Sequence, residues 1–182
     1  MLYLGVDPSL SHTGLALIDE KLALVDTCAL STPTSGVERL YHLENLFGVF
    51  VTKYAPNIRY CAIESGAYRE TGRLYDLGEW AGVLKLYLFK LGISFIPVAP
   101  LQLKKYISGV GKNKGKDIVI LDIYKNYNLE IRDSDIADAF VLSVIARDFY
   151  LKLHSKKKLA LPKYQEEVLK AINKNYQVKS MI

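Results

Sequence analysis

Two largely apolar runs in this chain close on an acid: MLYLGVD at residues 1–7 with Asp7 last, and IRYCAIES at residues 58–65 with Glu64 just before its final serine. A short run dominated by apolar residues, with no polar alternation, reads as a strand covered on both faces. Covering both faces takes helices on either side of a sheet, so the chain is expected to fold as α/β. The two acids, Asp7 and Glu64, then stand at the carboxyl ends of their strands, where open α/β sheets bind ligands. A carboxylate that follows buried residues is costly to desolvate unless a positive group meets it.

The remaining segments fill that frame. Residues 8–14 read as a turn, and residues 15–20 and 21–30 as two strands joined at a hairpin tip, Asp19-Glu20-Lys21. A helix is expected over 36–54, with Val37, Leu40, Tyr41, Leu43, Leu46, Phe47 and Phe50 on its apolar side. A longer one is expected over 73–91, where Leu74, Leu77, Ala81, Leu84, Leu88 and Leu91 recur at helical spacing. Trp80, Val83 and Tyr87 widen that surface, as in a helix that packs on its own sheet and on something else. A strand at 93–98, a short helix at 100–107, a Gly/Lys-rich loop at 108–116 and helices at 116–127 and 134–151 follow. The domain is expected to span 1–151. Residues 152–182 read as a basic C-terminal extension with a final amphipathic helix near 162–175.

Charge is unevenly placed. Residues 151–182 carry +6 of a total of +5, which leaves −1 for the body and fits a polyanionic partner. No apolar stretch is long enough for a bilayer, and the first run lacks the basic flank of a signal peptide. Cys28 and Cys61 lie far apart without clustered histidines, so both read as buried free thiols rather than zinc ligands. A cytoplasmic protein with no membrane partner is expected. The 109–116 loop lacks the full GxxxxGK[ST] pattern, because Asp117 follows Lys116, so no nucleotide cofactor is expected.

Two further acids complete a set. Asp135 and Asp138 are three residues apart and share a helix face. The following AFVLSVIA is apolar or small all round, so that helix is buried. Acids crowded on a buried flank repel one another, and a divalent cation relieves the repulsion. Four carboxylates without clustered His or Cys suit a hard ion, Mg²⁺ or Mn²⁺. Asp133 reads instead as a helix cap and Asp19 as a hairpin residue.

In order and spacing, GVDPSLSHTGLAL (5–17), AIES (62–65), LGEWAGVL (77–84), VAPLQLKKYISGVG (98–111) and DIADA (135–139) resemble the RuvC-type Holliday junction resolvase family. The resemblance runs from residue 1 to about 150. It implies an RNase H-like mixed sheet of about five strands flanked by helices, and a homodimer acting on branched DNA, four-way junctions above all. It also implies a catalytic carboxylate set of Asp7, Glu64, Asp135 and Asp138. The family's basic-loop lysine aligns best with Lys116, with Lys114 as the alternative. Ser9 stands where the family commonly has glycine. Ala67, followed by Tyr68, stands where some members place a stacking aromatic.

The expected chemistry is phosphodiester hydrolysis with two metal ions and Asp7 shared between them; the resemblance further implies 5′-phosphate and 3′-hydroxyl ends. Tyr68, Arg69, Lys104, Lys105, Lys112, Lys114 and Lys116 are the candidate DNA contacts. Leu77, Gly78, Trp80, Ala81 and Leu84 are the candidate dimer interface. Gly78 and Gly82 either admit a second copy closely or merely seat the helix on its own sheet. A broader branched-DNA, flap or RNA:DNA hybrid nuclease, or a non-catalytic junction-binding module, is the alternative function.

Overall fold

Strand alternation decides which residues meet in this protein. The structure is a computed structural model and describes residues 1–65, 74–110, 116–155 and 159–179. Its elements in chain order are β1 (Leu2–Asp7), β2 (Thr13–Asp19), β3 (Leu24–Leu30), α1 (Gly36–Thr52), β4 (Ile58–Glu64) and α2 (Leu74–Lys90). Then come β5 (Phe95–Val98), α3 (Pro100–Ser108), α4 (Lys116–Tyr127), α5 (Ser134–His154) and α6 (Lys163–Lys179). The strands form one mixed sheet in the order β3-β2-β1-β4-β5. β1 and β2 pair antiparallel, as do β2 and β3, while β4 runs parallel to both β1 and β5.

Successive side chains on a strand point to opposite faces. Leu4, Val6, Leu15, Leu17, Cys61 and Ile63 fill one face with α1 and α2. Tyr3, Ala16, Ile18, Tyr60, Ala62, Ile96 and Val98 fill the other with α3, α4, α5 and α6. The hairpin tip forms as expected: Asp19 Oδ1 accepts from Lys21 N–H at 2.8 Å and from Ala23 N–H at 2.9 Å.

α5 lies directly on the sheet because two glycines leave room for it. A Cβ on Gly5 would overlap the Ala139 carbonyl oxygen, and one on Gly14 would overlap that of Asp135. Along its length α5 is buried from Ala139 through Ala146. Its start is capped by Asp133, whose Oδ1 accepts from Asp135 N–H at 2.8 Å and Ile136 N–H at 3.0 Å.

Three expectations are corrected here. On α1 the buried side is Leu43, Phe47, Phe50 and Val51, whereas Val37, Tyr41 and Leu46 face outward. Cys61 is buried, but Cys28 is only half-buried. α5 runs past residue 151 to His154. α6 then returns to lay Val168, Leu169 and Ile172 into the cluster that holds Leu103 and Tyr106, so the extension shares the domain's core. No helix among the described residues is long and apolar enough to cross a membrane.

Candidate active site

The parity of the strands brings the acids together. Asp7 lies two residues beyond Gly5, and Glu64 two beyond Ala62, so both face α5. Gly5 pairs with Ala62 and Val6 with Ile63 across the parallel β1–β4 ladder, which makes Asp7 and Glu64 the next rung. Asp138 enters from the first turns of α5, one residue before the Ala139 that sits on Gly5. Carboxylate oxygens of Asp7, Glu64 and Asp138 all lie within 4.8 Å of one another.

Asp135 lies one turn earlier on α5, its Oδ1 accepting from Ser134 Oγ at 3.3 Å. It falls outside that tight trio, yet its charge acts on both Asp7 and Glu64.

Electrostatics in the cluster are unbalanced. Burial pushes the Asp7 carboxyl well above its ordinary range, and the neighbouring Glu64 and Asp138 push it further. Burial, then Asp138, raises Glu64 to about 7, while the Lys104 ammonium works in the opposite direction. Asp7 and Glu64 share a hydrogen bond that favours a proton on Asp7. Crowded carboxyls that hold protons near neutrality are short of positive charge. The donors are all oxygen, so a hard divalent cation fits the site and would replace those protons.

The structure sorts the other expected residues. Lys104 is half-buried, and its charge acts on Glu64. Lys105 points to α6 instead, where its Nζ pairs with Glu167 at 2.8 Å. Tyr68, Arg69, Lys112 and Lys114 lie outside the described residues, as does the side chain of Lys116, the first residue of α4. Trp80 and Leu84 are corrections to the interface set: both are fully buried in the chain's own core and present nothing to a second copy. Leu77 and Ala81 are half-buried and Gly78 is exposed. Among the described residues, no atom outside the helix's own backbone and the adjoining residues would come within 4 Å of a Cβ on Gly78 or Gly82, so neither glycine is needed for a close approach of α2 to its sheet there.

Sequence reasoning missed the hydrogen bond between Trp80 and Thr13 and the pairing of Lys105 with Glu167. Parity carried a signal for the first: Thr13 lies on the same face of β2 as Leu15 and Leu17, which α2 covers. A cavity of about 430 Å³ opens beside the turn that follows Asp7, lined by Ser9, Ser11, Arg39, Asp76 and Leu77 among others. None of its lining residues, among those described, belongs to the carboxylate cluster.

A family profile described as crossover junction endodeoxyribonuclease RuvC matches residues 3–146. The chain belongs to the RuvC family. A RuvC from Halothermothrix orenii is 27% identical over 157 residues, covering 82% of this chain and 94% of that protein. One from Prochlorococcus marinus strain NATL2A is 25% identical over 158 residues, covering 84% of this chain and all of the relative. Among solved structures, T. thermophilus RuvC in complex with a Holliday junction substrate superposes with a TM-score of 0.70 at 24% identity, covering 87% of this chain and 99% of that one. The fowlpox virus Holliday junction resolvase gives 0.52 at 12% identity, covering 79% and 96%. These two likenesses bear on the fold: a five-stranded mixed sheet flanked by helices, as RuvC proteins have. The RuvC profile spans all four expected acids and ends inside α5, short of α6.

Proposed function

We propose that this protein is a structure-selective DNA endonuclease that resolves four-way junctions by paired phosphodiester hydrolysis, leaving 5′-phosphate and 3′-hydroxyl ends. The observation that carries the reading is the convergence of Asp7, Glu64 and Asp138 within 4.8 Å at the carboxyl edge of β1 and β4. A relative of the same fold is a RuvC in complex with a Holliday junction substrate, which supports branched DNA as the partner.

Asp7, Glu64 and Asp138, with Asp135 beside them, would hold Mg²⁺ or Mn²⁺, two ions per site. Bound there, the metal supplies Lewis-acid stabilisation of the phosphoryl oxygens and acidifies a water molecule. The protein's own groups do the rest. The carboxylates must shed their protons to act as ligands. The sheet edge fixes their oxygens before substrate arrives, and burial keeps bulk water from screening them. Lys104, with Lys116 or Lys114, would meet the scissile phosphate and offset charge that grows in the transition state. Tyr68, Arg69 and Lys112 are proposed as further DNA contacts.

Paired cuts at symmetry-related phosphates require two sites, which a homodimer with twofold symmetry supplies. The outward face of α2 supports this. Tyr75 is 83% exposed and Phe89 76%, with Gly78, Gly82 and Leu86 exposed beside them. Apolar area of that kind is what association buries.

The test compares a four-way junction, a Y fork, linear duplex and an RNA:DNA hybrid, each in Mg²⁺ and in EDTA. Symmetric nicks in the junction, in Mg²⁺ alone, are expected. Equal cleavage of fork and junction would instead mark a broader branch nuclease, and binding without cleavage in either condition a non-catalytic module.

A further inference from the structure

α6 carries a charge pattern that the four-acid site does not use. Gln165, Val168, Leu169 and Ile172 are buried, which fixes the outward stripe as Lys163, Glu167, Lys170 and Lys174, all exposed. The helix is held firmly on α3: Gln165 Nε2 donates to the Tyr106 carbonyl at 3.1 Å, and the Tyr164 ring lies against Gly109. The stripe is therefore part of a rigid surface, not a loose tail.

The stripe adjoins α3, the helix that also carries Lys104 and Lys105. Lys104 on α3 acts on Glu64, and its neighbour Lys105 reaches across to Glu167. Hydrogen bonding from Lys105 holds the Glu167 carboxyl below its usual range, and the charges of Lys105, Lys163 and Lys170 add to this. One carboxylate thus sits among three ammonium groups, with Lys174 a further turn along. Lys163 to Lys174 spans about 16 Å of helix, close to five base pairs along one DNA strand. No large apolar side chain is exposed on α6 among the described residues, which argues against an anionic membrane as the occupant.

We propose that Lys163, Lys170 and Lys174 form a phosphate track for a double-stranded arm of the DNA substrate, leading away from the carboxylate cluster, with Glu167 as its negative regulator. The inference rests on the nuclease reading above and adds to it a surface beyond residue 146, where the match to the family ends.

The experiment measures junction binding by the full-length chain in EDTA across a range of KCl concentrations. The triple variant Lys163→Gln, Lys170→Gln, Lys174→Gln should lower the slope of log K against log[salt] by about 2–3 and weaken binding about tenfold or more at low salt. The corresponding triple Lys→Arg variant should bind as the wild type does. Glu167→Gln should move the other way, tightening binding and steepening the slope. A triple Gln variant that melts like the wild type and keeps its slope overturns the track, and so does a Glu167→Gln protein that binds less tightly. Failure of the wild type to cut a junction in Mg²⁺ would count against the nuclease reading. A cutting wild type whose binding ignores the stripe would count against the track alone.

Discussion

The indole N–H of Trp80 donates to Thr13 Oγ1 at 2.8 Å, with both side chains fully buried. Thr13 Oγ1 in turn donates to the Ser9 carbonyl at 2.9 Å and accepts from Ser9 N–H at 3.4 Å. The turn that follows Asp7 is thereby tied through one hydroxyl to α2, the helix whose other face is proposed to meet a second copy.

Thr13→Val removes the only hydroxyl in that link and leaves the Trp80 N–H buried without its acceptor. An orphaned buried donor costs about 1–3 kcal/mol. The urea midpoint should fall by a corresponding amount, and junction cleavage should slow as the turn behind Asp7 loosens. Thr13→Ser, which keeps the oxygen, should recover most of both.

Gly14→Ala should separate folding from metal binding. Its methyl group would overlap the Asp135 carbonyl, so the start of α5 must shift away from β2. Overpacking of this kind costs about 1–3 kcal/mol. The displaced segment is the one that presents Asp135 and Asp138. Calorimetric titration with Mn²⁺ should show weakened binding in a chain that is still folded. Unaltered Mn²⁺ affinity would show that α5 does not set the site.

Asp7→Asn replaces a carboxyl whose burial and neighbours favour its protonated form. In EDTA the variant should melt no lower than the wild type, because the neutral amide carries no charge for Glu64 and Asp138 to oppose at any pH. Mg²⁺ should stabilise the wild type and leave the variant nearly unchanged. Cleavage should drop by about a thousandfold or more, with the loss of the proposed metal ligand, while junction binding persists. A rate near that of the wild type would remove Asp7 from the chemistry.

The pH dependence of stability follows from Glu64, whose carboxyl is raised from 4.5 to about 7 in the folded chain. A group with a raised folded pKa binds protons more tightly when native, so its contribution is fully present below its unfolded value. That contribution is lost as pH climbs through about 7. Asp7 is raised in the same direction and adds to the loss. In EDTA the melting temperature should therefore fall between pH 5 and pH 8. Saturating Mg²⁺ should flatten or reverse that trend, and its binding should release protons, detectable as a buffer-dependent enthalpy.

How much of this was legible beforehand differs from residue to residue. Asp7, Glu64 and Asp138 stood out because each ends or opens an element whose apolar run is unambiguous. The cap at Asp133 and the hairpin at Asp19 were legible because their partners lie within four residues. Trp80 and Leu84 were misplaced because α2 is apolar on nearly all sides, so its pattern does not say which side meets the sheet. Val37, Tyr41 and Leu46 were misplaced on α1 for the same reason. Lys105 looked like any exposed lysine next to Lys104, since nothing local marks a partner 62 residues away.

By itself, the amino-acid order determined the α/β class, the strands that carry Asp7 and Glu64, and the all-carboxylate character of the cluster. Those properties follow from backbone periodicity and side-chain chemistry, which act over a few residues. The tertiary structure alone decided which flank of α2 is left open, how close α5 comes to β1 and β2 across Gly5 and Gly14, and that α6 takes Lys105 as its partner. Each depends on surfaces joined across long stretches of chain, where shape and packing choose among contacts that local pattern leaves equivalent.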